Sequence, residues 1–272
     1  MTASSTADSR RLADAARRVR LRDLQMVSDA GMGHIGGEFS VTDILVTAYL
    51  GVMRLDGPEP DRLVLSKGHA AAALYAVLAE AGLLPEADLA TFVQQGSLLN
   101  GHPARTKLEW VEASTGPLGH GLPIGVGMSI AARLDGSSRR IFVITGDGEM
   151  QEGSNWEALM VAAHQGLDNL VLVIDRNGLQ QGAAVADTND LEPLADKLRA
   201  FGWAVDEVDG HDHGRLLAAL GSTPLVAGRP TALIAHTHKG HPVSFMSDDP
   251  GWHHRVPTVE QADAARAEVM AT

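Results

Sequence analysis

The chain has no cysteine among its 272 residues, so disulfide bonds, thiolate zinc sites and a cysteine nucleophile are excluded. Basic residues are also scarce: 22 lysines and arginines stand against 34 aspartates and glutamates, a formal net charge of −12. Nucleic-acid binding usually requires a basic patch, so we expect no nucleic-acid partner, although a local pocket for an anionic metabolite stays open. The absence of cysteine fits a reducing compartment, and we expect a cytoplasmic protein.

Long apolar runs are missing as well. No stretch of the sequence approaches the roughly 18 residues that span a bilayer, and the polar N-terminus lacks the apolar segment of a signal peptide. We therefore expect no membrane partner. We also expect residues 1–9 to be disordered and residues 10–272 to form one domain, because no linker or break in composition divides them.

Two short apolar runs, at residues 141–145 and 170–175, are separated by a stretch of helix length, the pattern of a βαβ unit with parallel strands. A Gly-Asp-Gly motif around Asp147 follows the first run, and Asn177 follows the second, 30 residues later (177 − 147). Both would lie at the carboxyl ends of strands, where open α/β sheets bind ligands. A carboxylate and an amide oxygen suit Mg²⁺, and the glycines let a diphosphate approach the backbone. Either half alone is also an ordinary turn signal, but together they predict a metal–diphosphate site.

Apolar periodicity predicts further elements around this unit. Helices are expected at 13–27, 41–53, 70–81, 125–134, 191–201 and 213–220, and strands at 62–66, 203–208 and 231–236. Helices that alternate with short strands indicate a three-layer α/β/α fold with a mostly parallel sheet.

The chain carries 12 histidines, and four of them, His34, His69, His102 and His120, stand beside glycine in predicted loops. Together with a diphosphate site, they suggest a cleft lined by groups that titrate near neutral pH. The alternative is a zinc site built from the pairs at 211/213 and 236/238. No matching third and fourth ligand spacing supports that alternative.

These motifs, taken in order, resemble the N-terminal, diphosphate-binding module of the transketolase family from about Leu12 to Pro257. The matching stretches are 33–37, 65–70, 101–103, 112–119, 146–153, 175–179, 243–246 and 250–253. The resemblance implies the thiamine diphosphate-binding fold, with thiamine diphosphate and Mg²⁺ or Ca²⁺ as cofactors.

The resemblance also implies roles for individual residues. The implied metal ligands are Asp147, Asn177 and the carbonyl of Leu179. The implied cofactor-binding residues are His69, Gly116, Pro117, Leu118, Gly146, Gly148, Glu149, Asn177 and His253. The implied catalytic residues are His34, His69, His102 and Glu152, of which Glu152 would join paired active sites across a subunit interface.

A full transketolase continues with a second thiamine-binding module. The resemblance therefore implies an N-terminal subunit that works with a complementary C-terminal subunit, as an α2β2 heterotetramer, and moves a two-carbon ketol unit from a ketose (phosphate) to an aldose (phosphate). Two alternatives stay open: another thiamine diphosphate enzyme, such as a deoxyxylulose-phosphate-synthase-like or specialised-pathway transferase, and a non-catalytic regulatory subunit. The presence of Asp147, Asn177 and His69 argues against the second. The sequence departs from the family pattern at four positions, and these departures concern the identity of the substrate. The four residues are Met32, His120, His241 and His254.

Overall fold

A computed structural model describes residues 3–272, with side chains from residue 6 onwards. The strands are β1 (Arg62–Leu65), β2 (Ile141–Gly146), β3 (Leu170–Arg176), β4 (Leu179–Gln180), β5 (Ala183–Ala184), β6 (Ala204–Asp209) and β7 (Thr231–His236). Across the described residues, five of these form a parallel sheet in the order β1-β2-β3-β7-β6, and β4 and β5 form a small antiparallel hairpin.

The helices lie on both faces of the sheet. They are α1 (Ala3–Ala30), α2 (Ile35–Thr47), α3 (Ala71–Glu80), α4 (Gly121–Leu134), α5 (Gly153–His164), α6 (Val185–Asn189), α7 (Leu194–Ala200), α8 (His213–Gly221) and α9 (Val259–Ala271). Successive strand residues point to opposite faces. Phe142 and Ile144 therefore pack with α1, α2, α3, α8 and α9, whereas Ile141 and Val143 pack with α4, α5 and α7. The predicted three-layer α/β/α fold is confirmed.

Helix α2 is buried along its whole length, and residues 48–52 extend it as a π-helical turn. The stretch Ile35–Val52 is 18 residues long with a mean hydropathy of 1.2, so the prediction that no apolar run reaches membrane-spanning length was wrong. Because 83% of this stretch is buried inside the molecule, it has the character of a core helix between the sheet and α1.

Helix α1 begins at Ala3, so the structure differs from the expected disorder over residues 3–9, and residues 1 and 2 lie outside the described residues. Helix α2 begins at Ile35, six residues before the predicted start at residue 41, so Gly36 and Gly37 lie in its first turn. A Cβ on Gly36 would stand 2.7 Å from the carbonyl oxygen of Trp252. Close packing therefore explains that glycine better than a helix break does.

The strand register brings the loops that carry function to one edge of the sheet. Gly146 of β2 stands opposite Asp175 of β3, and Arg176 of β3 stands opposite His236 of β7. The segments that follow β1, β2, β3 and β7 therefore leave the sheet at the same edge, with β1 ending opposite Ile144, two residues before the end of β2. Ligands of open parallel sheets bind at this edge.

Candidate active site

A cavity of about 230 Å³ opens at this edge of the sheet. Most of the residues predicted from the sequence line it: His69, Gly116, Leu118, Gly146, Asp147, Gly148, Glu149, Glu152, Asn177, Leu179 and His253. Pro117, His34 and His102 lie outside this lining, although the two histidines contact residues that belong to it.

Asp147 and Asn177 stand together at the floor of the cavity. The Asp147 carboxylate is 4% exposed and accepts hydrogen bonds from the backbone N–H groups of Gly148 (2.8 Å) and Gly178 (2.7 Å). Burial raises the pKa of Asp147 to about 6, against the lowering effect of those two hydrogen bonds. Among the ion pairs of the described residues none includes Asp147. A buried carboxylate without a cationic partner, next to an amide oxygen, is a suitable donor set for a hard divalent cation.

Beneath this floor, the buried Asp175 carboxylate ties several loops together. It accepts hydrogen bonds from the Ser40 hydroxyl (2.7 Å), the Lys67 ammonium (2.6 Å) and the Thr237 hydroxyl. Lys67 also donates to the carbonyl of Gly37 at 2.9 Å. Charge-assisted hydrogen bonds of this kind are strong, so the network fixes the positions of the segments after β1, β3 and β7.

Glu149 has both carboxylate oxygens engaged by protein donors. They accept from the Ser66 hydroxyl and from the backbone N–H groups of Gly119 (3.0 Å) and Gly146 (3.2 Å). Burial raises the pKa of the Glu149 carboxyl. The carboxylate therefore holds the segments of Ser66 and Gly119 against the end of β2. The backbone of Glu149, and not its side chain, would make the predicted contact with a diphosphate.

Two of the predicted cofactor-binding glycines have no room for a side chain. Gly116 has a φ of +140°, and a Cβ there would stand 2.8 Å from Cδ2 of His102. A Cβ on Gly148 would stand 2.5 Å from Oε1 of Gln180. His102 and Gln180 occupy the space that a side chain would take, so both positions need glycine, and the backbone of both lines the cavity.

The histidines form a cluster around His34. Its ring centroid lies 5.3 Å from that of His69, 6.1 Å from His102, 5.6 Å from His253 and 4.7 Å from His254. Burial and the neighbouring imidazoles lower the pKa of His34 to about 4, and burial beside Lys239 lowers that of His253 to about 3.

Burial likewise holds the pKa of His69 well below its usual range and lowers that of His102. The imidazoles of His34, His69, His102 and His253 are therefore neutral at pH 7. The fourth predicted loop histidine, His120, is exposed, and its Nδ1 lies 3.0 Å from the carbonyl oxygen of Leu118. His120 therefore lies apart from the cluster.

Lys239 is the cavity-lining residue that the sequence analysis missed most clearly. It lines the cavity, is 1% exposed, and donates from Nζ to Nδ1 of His253 at 2.9 Å. Burial and the nearby Lys67 lower the pKa of Lys239 to about 8. The only sequence signal was a lysine directly before a glycine, three residues after a predicted strand.

The histidine pairs considered for zinc do not meet at one site. In the described residues every ring has a carboxylate partner: Asp43 for both His211 and His213, Glu207 for His236, and Asp248 for His238. Because the ring nitrogens face three different carboxylates, the four histidines do not form a tetrahedral set.

Comparison with known proteins agrees with this geometry. A family model described as transketolase, thiamine diphosphate binding domain, matches residues 11–257. An apulose-4-phosphate transketolase subunit from Actinobacillus succinogenes is 44% identical over 247 residues, which cover 89% of this chain and 89% of that relative. A 6-deoxy-6-sulfo-D-fructose transketolase subunit from a Clostridium species is 38% identical over 256 residues, which cover 92% of this chain and 93% of that one.

Solved structures agree as well. The crystal structure of transketolase from Campylobacter jejuni superposes with a TM-score of 0.88 at 29% identity, and the match covers 99% of this chain and 43% of that one. The resemblance drawn from the motifs is thereby confirmed. The chain belongs to the transketolase family, and what it shares with the family is the thiamine diphosphate-binding domain.

Proposed function

We propose that the chain is the diphosphate-side subunit of a transketolase that depends on thiamine diphosphate and Mg²⁺ (or Ca²⁺) and works with a complementary C-terminal subunit. It would move a two-carbon ketol unit from a ketose (phosphate) to an aldose (phosphate). One observation carries the proposal: the buried, cation-free Asp147 carboxylate and a cluster of neutral imidazoles meet at the same cavity. A metal-binding floor and a wall of hydrogen-bonding groups are what a sugar-converting cofactor enzyme requires.

The residues of the cavity fit the cofactor. The Asp147 carboxylate, the Asn177 amide oxygen and the Leu179 carbonyl would hold the metal ion, and the bare backbone at Gly116 and Gly148 would let the cofactor lie against it. When bound, the thiazolium ring supplies an electron sink for breaking a carbon–carbon bond beside a carbonyl.

The neutral imidazoles indicate which groups of a substrate they would contact. A neutral imidazole donates one hydrogen bond and accepts another, so His34, His69 and His102 match sugar hydroxyls and can pass protons to and from them. A charged imidazole could only donate. The ammonium of Lys239 stands against His253 in the same cavity and would face negative charge on the substrate or the cofactor.

The names of the relatives narrow the substrate class. They specify a phosphate-bearing ketose, apulose 4-phosphate, and a sulfo-substituted ketose, 6-deoxy-6-sulfo-D-fructose. We propose that this chain also acts on a ketose with an anionic substituent, in the cytoplasm.

Helices α4 and α5 supply a surface for assembly. They pack against each other and expose apolar side chains to solvent, with Ile124 38%, Met160 54% and Val161 44% exposed. Glu152 is exposed at the N-terminus of α5. Exposed apolar side chains grouped on two adjacent helices are typical of a protein interface. An α2β2 heterotetramer in which this face is covered would bring Glu152 to the interface.

Reconstitution tests the proposal. The purified chain is assayed for ketol transfer alone and after mixing with a complementary transketolase subunit, each with and without thiamine diphosphate and Mg²⁺. We expect transfer only in the complete mixture. Full transfer by the chain alone, or none in the complete mixture, would contradict the proposal.

A further inference from the structure

A second set of buried polar side chains lies behind the cavity, on α1, α2 and the segment before α8. Arg20 donates to both oxygens of Asp43, at 3.0 and 2.6 Å, and to the carbonyl of Phe39 at 2.9 Å. Asp43 is 2% exposed. Although burial acts to raise it, Arg20, His211 and His213 hold the pKa of Asp43 well below its usual range. The carboxylate is therefore ionised at neutral pH.

His211 bridges this carboxylate and a backbone amide. Its Nδ1 lies 2.6 Å from Oδ2 of Asp43, and its Nε2 lies 2.9 Å from the backbone nitrogen of His238. A backbone N–H can only donate, so Nε2 accepts and the ring proton is on Nδ1, directed at Asp43. Asp43 thus fixes both the tautomer and the orientation of the ring.

These side chains do not form a cation site. Asp43, His211 and His241 offer ligand atoms that lie within 4.8 Å of one another, and no ion is present there. However, the Arg20 guanidinium binds both Asp43 oxygens, and both ring nitrogens of His211 already have partners. A metal ion would have to displace a paired cation, so the set acts by hydrogen bonding.

The amide that His211 holds belongs to the residue directly before Lys239. On the other side of Lys239, the N–H of Gly240 donates to the carbonyl of Gly36 at 2.9 Å, and the carbonyl of Lys239 accepts from Asp248 at 2.8 Å. Lys239 is therefore held by a backbone contact on one side and by the imidazole of His211 on the other. From that segment its side chain reaches the cavity and His253.

We propose that His211 is a positioning residue: oriented by Arg20 and Asp43, it fixes the amide of His238 and thereby sets where the ammonium of Lys239 stands in the active site. The consequence for catalysis rests on the proposed function. The consequence for the backbone does not, because the hydrogen bond belongs to the chain itself.

Two replacements of His211 separate its two contacts. In His211→Gln the side-chain oxygen reaches the position of Nε2, so the acceptor for the His238 amide is kept. In His211→Asn the side-chain NH₂ takes the place of Nδ1, so the contact with Asp43 is kept and the His238 amide loses its acceptor. His213→Asn is the matched control, because His213 contacts Asp43 (3.3 Å) and Thr47 (3.1 Å) and not the segment that carries Lys239.

The first readout is hydrogen exchange of the His238 amide in the full chain. We expect exchange to be roughly tenfold faster in His211→Asn, as for the loss of one hydrogen bond, and near the wild-type rate in His211→Gln and His213→Asn. Equal exchange rates in the Asn and Gln variants would overturn the proposal without any reference to activity.

The second readout is ketol transfer by the complete complex. We expect kcat/KM to fall by about 10²-fold in His211→Asn, as for a misplaced catalytic group, and to recover largely in His211→Gln. In a Lys239→Met background, His211→Asn should cause no further loss, because both changes act through the same ammonium. Fully additive losses would overturn the proposal. Failure of the proposed function would be seen separately, as an inactive wild-type complex.

Discussion

Replacing Lys239 by methionine should make the protein more stable at neutral pH. Methionine fills the volume of the apolar stem and removes the ammonium, which is 1% exposed. Burial lowers the pKa of Lys239 from 10.5 to about 8, and 2.5 pH units correspond to about 3 kcal/mol of destabilisation of the folded state at pH 7. The variant also loses the hydrogen bond to His253, which contributes about 1 kcal/mol. The net gain should be about 2 kcal/mol.

The stability difference between the wild type and Lys239→Met should change with pH in a defined direction. Between pH 8 and 10.5 the folded protein has lost the Lys239 proton while the unfolded chain still holds it, so the unfolded state binds more protons and the wild type gains stability as pH rises. The advantage of Lys239→Met should therefore shrink over this range. Because the lost hydrogen bond to His253 remains, the variant should be less stable than the wild type by about 1 kcal/mol above its upper end. Urea unfolding of both proteins from pH 7 to 10.5 measures the difference, with the exposed Lys107→Met as control. A variant that is less stable at pH 7 by a margin independent of pH would refute the reasoning.

Three further variants test other parts of the site. His69→Ala and His102→Ala should lower kcat/KM by about 10²–10⁴-fold at nearly constant melting temperature, and His102→Ala should do so at nearly constant cofactor affinity, with the exposed His164→Ala as control. A parallel loss of melting temperature would mean that these histidines are structural. Gly116→Ala should destabilise the fold by about 1–3 kcal/mol and weaken cofactor binding, because its Cβ would meet the His102 ring. Gly82→Ala is the control, because Gly82 has a φ of +73° but open space around it. Calorimetry should show a lower stability from backbone strain and unchanged cofactor binding.

Most of the sheet was predictable from the sequence, because buried parallel strands are continuous apolar runs bounded by glycine, aspartate and asparagine. Strand β7 was predicted with the observed bounds, and the βαβ unit around Asp147 was placed correctly. Helix α9 was missed. Its apolar positions are mostly alanines, and its clearest signal is the capping box formed by Thr258 and Gln261. Disorder was also expected over residues 3–9 from their polar composition. These residues instead form the start of helix α1, whose later turns are packed in the core.

In the candidate site, too, residues with a local sequence signal were found and residues without one were missed. Short-range glycine and strand signals led to Asp147, Asn177 and His69, which the structure brings to one cavity, and their roles stay predictions. The same signals also selected His120, which lies apart from the cluster. The Asp175 network could not be assigned from spacing, since its partners come from helices and loops far apart in the chain. Lys239 stands only 14 residues before its partner His253, but no local motif indicates that contact. His211 likewise connects Asp43, which precedes every strand of the sheet in the chain, with His238, which follows the last strand. No local sequence pattern indicates this connection.

We propose above that the cavity binds thiamine diphosphate through a metal ion held by Asp147 and Asn177. Isothermal titration of thiamine diphosphate into the assembled complex, with Mg²⁺ and again with a chelator, tests it directly. We predict saturable binding by the wild type that requires Mg²⁺. We also predict a loss of affinity of at least roughly 10²-fold in Asp147→Ala and in Asn177→Ala with the fold retained. The melting temperature of Asp147→Ala should fall moderately, because the N–H groups of Gly148 and Gly178 lose their acceptor. Unchanged affinity in both variants, or full binding in the presence of the chelator, would contradict the account.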